Sequence, residues 1–359
     1  MKILFYIPLY KGETYQDRIS RAAKGLFPPH LLYGITSLDN LGYKILFPVR
    51  NYVLPQKIKS LRYVLDLFEN AIHILKMSKD IDIIYTPYRS GLEILIILRA
   101  LGICRKKIIC WEHKTVEKQR GLKLLYQKIH YRGIDKLIFF CEKNLIDSLP
   151  SGIIKREKAT VVVWGPDLNT YHYIKRSVEK KENNQLVFIS TGVDSRDHET
   201  LVSAFEQTDA KLLLYVHNEL LYKKYYGRAG NINVRLLQKK MNSSSEATIE
   251  TAKADVSIAC CKSTRNTANG SSAAVEAIGL GMPIIITENQ YFDINFEKEK
   301  IGLVVQSENI ESLKNAINTF NNNPLIVKEY GENSSKFAIN NCNIEVMAKQ
   351  LDALFHACY

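Results

Sequence analysis

The sequence has no long apolar run. The stretch Leu92 to Leu98 already contains Glu93 and ends at Arg99, far short of the ~20 residues a membrane-spanning helix needs, so an integral membrane protein is not expected. The opening stretch, Met1 to Pro8, is too short for a secretory signal and closes on proline; it reads as a strand. Cysteines number seven, an odd count, and no two stand as C-x-x-C. That argues against a disulfide framework or a zinc site and fits a reduced compartment. Cys260 and Cys261 are adjacent in an apolar run, as small buried hydrophobes. No internal repeat with a period of 20–50 residues is present. Acidic side chains are scarce in the first half: residues 1–165 carry 28 basic and 14 acidic groups, residues 166–359 carry 21 and 23. An asymmetry of this kind suits an anionic partner for the first half, although a solvated basic surface would look the same.

The chain has 359 residues, of which 46% are hydrophobic and 24% charged, a globular composition with length for roughly two domains. Short apolar segments alternate with helical patterns throughout. In the first half, KILFYI opens a strand followed by a loop through Gly12. A helix over His30–Asn40 and a strand over Tyr43–Phe47 follow, and then "DIDIIYTP", "KKIICWEH", a helix over Leu122–His130 and "DKLIFFCE". Strands alternating with helices predict a parallel, doubly wound α/β sheet. The segment Gln56–Lys79 has helical apolar spacing with lysines toward its ends. A helix packed on its own sheet is one reading and an interfacial amphipathic helix the other.

After "ATVVVWGPDLNTY" the pattern turns polar in "IKRSVEKKENNQ", the expected linker. A second α/β series then runs from "LVFISTG" to a helix over Ile344–His356. Two such domains place a cleft between the carboxyl ends of their strands, where α/β sheets bind ligands.

The most informative segment is Asn269 to Thr287, a glycine-containing loop opening a helix and leaving through Gly279, Gly281 and Pro283 into an apolar strand. Free N–H groups and the positive helix end there favour an anion such as a diphosphate. Ser271 or Ser272 can cap the helix or donate to phosphate. Glu276, about a turn further in, can accept from ribose hydroxyls.

"GSSAAVEAIGLGMPIIIT" resembles the donor-nucleotide motif of family 4 glycosyltransferases, of GT-B fold, with Glu276 as the second of that family's two glutamates. "VVVWGPDLNTY" resembles the interdomain junction. "ISTGVDSRDHETLVSAF" resembles the segment that opens the nucleotide-binding domain, and "KKMNSSSEATIETAKADVSIACC" the helix and strand leading to the donor loop. The tail "GLVVQSENIESLKNAINTF" agrees as well.

The resemblance implies an α/β fold of GT-B type, two Rossmann-like domains with parallel sheets facing across a cleft. Residues 1–165 would bind the acceptor, 166–184 would link, and 185–340 would bind the nucleotide sugar. A C-terminal helix over 341–359 would be able to pack back toward the first domain. It further implies that Arg196 supplies charge to the departing phosphate, that Gly12 approaches the donor phosphate, and that His113 faces the cleft. Gly270, Ser271 and Ser272 would hold the diphosphate by their backbone, and Glu276 the ribose.

Two positions depart from the family pattern. Val193 stands where a first basic residue is usual, and Lys262 or Arg265 is placed to substitute. Ala268 stands where the first glutamate is usual, and Asn266 or Asn269 is placed to hydrogen-bond the donor sugar instead. Glu112 and Glu117, near His113, read as surface residues. Asp80–Asp82 is a D-x-D in letters only, at the start of an apolar strand, so a metal-bound donor and any cofactor are not expected.

The expected activity is retaining, metal-independent transfer of a hexose from a nucleoside-diphosphate sugar to a glycan or lipid-linked acceptor in cell-surface polysaccharide assembly. The expected setting is the cytoplasm, peripheral on an anionic inner membrane face, without nucleic acid. A sugar-nucleotide epimerase of GT-B fold and a degenerate sugar-nucleotide-binding protein are the alternatives.

Overall fold

The computed structural model describes residues 1–9, 13–48, 61–178, 185–192, 195–237, 243–263 and 266–358. They divide into two compact units. One comprises 1–20, 32–163 and 347–359, the other 21–31 and 164–346.

In the first unit six strands form one parallel sheet in the order β2-β1-β3-β4-β5-β6. They are β1 (Lys2–Phe5), β2 (Lys44–Leu46), β3 (Ile83–Thr86), β4 (Lys107–Glu112), β5 (Lys136–Phe139) and β6 (Ala159–Val161). Central strands such as IIYT of β3 are buried at every residue, as a sheet covered on both faces requires. The connecting helices are α1 (Tyr15–Ala23), α2 (Ile35–Leu38), α3 (Leu61–Met77), α4 (Glu93–Ala100), α5 (Gly121–Arg132) and α6 (Glu142–Ser148). Helices α3 to α5 lie side by side, with Leu67, Ala71 and Ile74 of α3 and Leu95 and Ile96 of α4 in one core cluster.

The helix expected over His30–Asn40 is instead three short turns, Pro29–Leu32 and Asp39–Leu41 as 3-10 helix and α2 between them. Tyr33 (φ +51°) and Gly34 (φ +81°) break it with left-handed backbone.

In the second unit the order is β12-β11-β10-β7-β8-β9, again all parallel. The chain passes through α7 (Leu168–Ser177), β7 (Val187–Ser190), α8 (His198–Phe205), β8 (Lys211–Val216), α9 (Glu219–Tyr225), β9 (Ile232–Leu236) and α10 (Ser243–Lys253). It continues through β10 (Val256–Ala259), α11 (Ser271–Leu280), β11 (Ile284–Thr287), β12 (Gly302–Val305), α12 (Ile310–Asn321), α13 (Pro324–Asn341) and α14 (Ile344–Cys358). One core cluster joins α8 and α12 through Leu201, Phe205, Leu313 and Phe320; another joins α7, α10 and α11 through Tyr171, Ala252 and Ala277.

The expected linker, 166–184, therefore holds a helix. Asp167 caps α7 by accepting from the backbone N–H of Asn169 and Thr170, and Tyr171 and Ile174 are buried. Two inward side chains are too few to give a visible period. Residues 179–184 lie outside the described residues. The unit boundaries also depart from sequence order. Residues 21–31 sit with the second unit, where the Trp164 indole N–H donates to the His30 carbonyl at 2.9 Å. From Met347 onward α14 belongs to the first, where Tyr43 donates to Asp352 at 2.6 Å and Phe355 packs against Tyr85.

Candidate functional site

Each sheet has one point where its strand order reverses. In the second sheet it lies between β7 and β10: from β7 the chain runs out to β8 and β9, then returns to β10 and runs the other way. Successive loops part there and leave a crevice beyond the carboxyl ends of the strands. The loops that follow β7 and β10 carry most of the candidate residues.

After β7 the chain turns at Gly192 and Ser195 (φ +55°). Two backbone hydrogen bonds hold it against the end of β10: Asp197 N–H to the Cys260 carbonyl at 3.1 Å, and Lys262 N–H to the Ser195 carbonyl at 2.9 Å. Arg196 and Cys261 thereby form an antiparallel bridge. Asp197 caps α8 through its carboxylate, which accepts from the Thr200 N–H and hydroxyl. The half-buried Arg196 guanidinium folds over Gly192, and a Cβ at Gly192 would fall on it and displace it. Arg196 Nη1 also lies 2.9 Å from Cys261 Sγ. Burial raises the pKa of the Cys261 thiol, which stays neutral and leaves the guanidinium charge uncancelled by that sulfur.

After β10 the loop reaches α11 through Asn266 (φ +77°) and Gly270 (φ +90°), left-handed positions that asparagine and glycine tolerate best. Gly270 packs over Ala259 and Cys261 at the end of β10 and over Ile286 of β11. Asn289 donates to the Thr267 carbonyl at 3.0 Å and pins the loop from β11. The first regular bond of α11 runs from the Ala274 N–H to the Gly270 carbonyl. The N–H groups of Ser272 and Ala273, which precede it, have no acceptor within the helix. Ser271 is half-buried and Ser272 exposed.

Glu276 is half-buried on the next turn. The Thr248 hydroxyl of α10 donates to its Oε1 at 3.4 Å. Burial pushes its carboxyl up to about 7, with the Thr248 hydrogen bond and the Arg196 charge pulling the other way.

Arg196, Lys262, Asn266, Asn269, Gly270, Ser271, Ser272 and Glu276 thus lie together around the β7–β10 switch point, Lys262 with its side chain exposed. Gly12, Val193 and Arg265 lie outside the described residues. His113 belongs to the first unit, at the end of β4. Its Nε2 meets the Pro87 carbonyl at 2.9 Å and its ring stacks on Tyr88 at 4.9 Å. Glu112, expected at the surface, is buried. It ends β4 pointing inward, where Arg89 Nη2 at 3.2 Å and the Tyr131 hydroxyl at 2.7 Å donate to it. Asp82 accepts from the Lys2 N–H at 2.7 Å and ties the start of β3 to the start of β1. Thr248 had no sequence signal, because it acts through a partner distant in the chain.

An arginine and a helix N-terminus converging at a switch point supply positive charge and N–H donors, the chemistry that suits an anionic ligand. Residues 169–338 match the glycosyl transferases group 1 family. The whole chain has the GT-B fold. Three solved structures share that fold along its length. A glycosyltransferase from Rickettsia africae is 14% identical, with TM-score 0.70 and coverage of 99% of this chain and 97% of that one. Anabaena Alr3699/HepE in complex with UDP-glucose is 14% identical, with TM-score 0.67 and coverage of 99% and 100%. The lipopolysaccharide outer core galactosyltransferase WaaB is 12% identical, with TM-score 0.63 and coverage of 99% and 100%. No curated protein sequence matches this chain. Among its described residues no helix is long and apolar enough to cross a membrane, and its seven cysteines are free and buried.

Proposed function

We propose that this chain is a glycosyltransferase that moves a hexose from a nucleoside-diphosphate sugar to a glycan or lipid-linked acceptor in bacterial surface-polysaccharide assembly, with retention and without a metal. The observation that carries the reading is the convergence of Arg196 and the first turn of α11 at the β7–β10 switch point. Breaking a sugar–phosphate bond builds negative charge on the departing diphosphate. A guanidinium and oriented N–H groups stabilise that charge without reorganising at the moment of reaction. In this reading Gly270, Ser272 and Ala273 hold the diphosphate by their backbone, the Ser271 N–H expected to join them being donated to the Ala268 carbonyl at 3.2 Å, Glu276 accepts from the ribose, and Asn266 or Asn269 meets the sugar beside Ala268. The neighbours support the donor class, HepE by its UDP-glucose complex, and WaaB supports the acceptor class.

The test is thermal unfolding against a series of nucleoside diphosphates. A ligand at a hundredfold excess over its Kd adds about 2.7 kcal/mol to the native state, so UDP or another member is expected to raise the midpoint by several degrees. No shift with any of them would reject the donor assignment.

The acceptor part of the proposal places the first unit on an anionic membrane surface. Its support is the outer face of α3 and α5. Val64, Leu65, Phe68 and Ile72 of α3 and Leu122, Leu125 and Tyr126 of α5 are exposed large hydrophobics. Lys76, Arg120, Lys123 and Lys128 are exposed on or beside the same helices. Apolar side chains that enter the interface, with cations worth ~1 kcal/mol each near anionic lipid, describe a peripheral contact. Flotation with phosphatidylglycerol vesicles should recover the protein, and phosphatidylcholine vesicles should recover much less. Equal, negligible recovery from both removes the membrane part and leaves the donor part standing.

A further inference from the structure

The loop into α11 is flanked on two sides. In the second sheet β10 has β7 as one neighbour, where Arg196 lies, and β11 as the other. At the carboxyl end of β11 is a cavity of about 400 Å³, which the Arg196 and Glu276 site does not use.

The wall of this cavity holds the loop. Ile286 lies under Gly270, Thr287 Oγ1 accepts from the Cys261 N–H at 2.9 Å, and Asn289 donates to the Thr267 carbonyl at 3.0 Å. All three of these wall residues line the cavity. It therefore adjoins residues 267–270, where the reading above puts the diphosphate. A diphosphate there carries two substituents. Glu276 is tied to Thr248 of α10, so the ribose that it meets lies along α11 toward that helix. The β11 side is left for the other substituent.

The lining has a definite chemistry. Among the described residues that line the cavity there is no lysine, arginine or histidine, and there are two carboxylates, Glu288 and Asp293. Glu288 continues the ladder past β11, its N–H donating to the Val305 carbonyl at 2.8 Å, so its backbone is fixed. Its side chain is exposed and, like the exposed Gln290 amide, has no hydrogen-bond or ion-pair partner among the described residues. Asn289 is committed to the loop, for its Oδ1 accepts from the Tyr291 N–H at 2.9 Å. Phe292, half-buried and edge to face with Phe296 at 5.5 Å, supplies an apolar wall. A free carboxylate and a free amide beside an apolar ring suit a ligand with hydroxyls around a C–H face. They do not suit an anion, which would meet two like charges and no cation.

We propose that this cavity takes the sugar of the donor, that the sugar is an uncharged hexose or N-acetylhexosamine, and that Glu288 accepts from its hydroxyls. This inference rests on the transferase reading above and adds the charge class of the transferred group and a residue that selects it. Ala268, on the loop itself, brings no side-chain acceptor; Glu288 brings one from the neighbouring strand.

The experiment is calorimetric titration of the full chain with the nucleoside diphosphate that raises its unfolding midpoint, UDP in the first instance. The same titration is run with the glucose, galactose, N-acetylglucosamine and glucuronate conjugates of that nucleotide. At least one uncharged conjugate is expected to bind more tightly than the glucuronate. In Glu288→Ala that conjugate should weaken about tenfold, the lower end for a hydrogen bond to a charged group, while the affinity for the bare diphosphate stays the same. Glu288→Gln should keep part of the difference, and Glu288→Lys should reverse the order of the uncharged and glucuronate conjugates. The assignment is overturned if the glucuronate binds the wild type as tightly as every uncharged conjugate, or if Glu288→Ala leaves the ratio of conjugate to diphosphate affinity unchanged. Equal weakening of the bare diphosphate would also overturn it, since the cavity would then belong to the nucleotide. Failure of every nucleoside diphosphate to bind would instead strike the transferase reading, so the two failures are distinguishable.

Discussion

Alanine at position 196 is expected to lower kcat/KM for the nucleotide-sugar donor by about 10²–10³-fold, the usual cost of removing one preorganised donor to developing charge. Most of the loss should fall on kcat, since the negative charge that Arg196 meets is largest as the sugar–phosphate bond breaks. The unfolding midpoint should move little, because Arg196 is half-buried and the loop it sits on is held by backbone bonds to residues 260–262. Lysine should restore part of the rate, keeping the charge but losing the planar fork. A second readout follows from electrostatics. The Arg196 charge holds the Glu276 carboxyl down against the effect of burial, so its removal should move the alkaline rise of donor binding to higher pH. Steady-state kinetics and calorimetric titration with UDP across pH check both. An unchanged kcat/KM would remove Arg196 from the reaction.

Replacing Glu276 by glutamine should produce two opposite effects at pH 8. Nucleoside-diphosphate affinity should fall about 10- to 100-fold, since a hydrogen bond to a charged acceptor contributes about 1.5–3 kcal/mol. Thermal stability should rise. The sign follows from the carboxyl being pushed up to about 7 from 4.5. The folded protein holds this proton more tightly than the unfolded chain, so stability falls as pH climbs from 4.5 through 7 and stays lower above it. Glutamine carries no such charge, so the variant should gain on the wild type at pH 8 and not at pH 4.5. Over the same interval the wild-type to variant affinity ratio should climb with pH and level off, which separates Glu276 from the titration of the ligand's own phosphate. A ratio independent of pH would show that the ionised carboxylate does not contact the ligand.

How much of this could be read before the coordinates depends on how local each feature is. The alternation of strand and helix, and so the fold class, was legible because every central strand is a short apolar run bounded by turn residues, as in KILF, IIYT and IIIT. The loop into α11 was legible for the same reason, since its glycines, serines and Gly-x-Pro exit are consecutive. Helix α13 was missed. Only Val327, Gly331, Ser334 and Ala338 of its eighteen residues are buried, and small or polar residues at helical spacing give no apolar signal. Helix α7 was hidden in the same way. Glu112 was misjudged because its partners, Arg89 and Tyr131, lie 23 and 19 residues away and a lone glutamate has nothing local to mark it as buried. Thr248 beside Glu276 is a tertiary coincidence of the same kind.

The interleaving of the two units limits how this molecule can be divided. A cut near residue 164 would leave the amino-terminal half without α14, whose Met347, Leu351 and Phe355 are wholly enclosed. The carboxyl-terminal half would lose residues 21–31, including the His30 imidazole that sits 3.0 Å from the Tyr171 hydroxyl. Each piece would expose aromatic and aliphatic surface that the intact polypeptide covers with a stretch borrowed from its far end. A gene split at that point would therefore yield two insoluble fragments rather than two working modules. A separable donor module would have to be a circularly rearranged chain that carries the borrowed stretch with it.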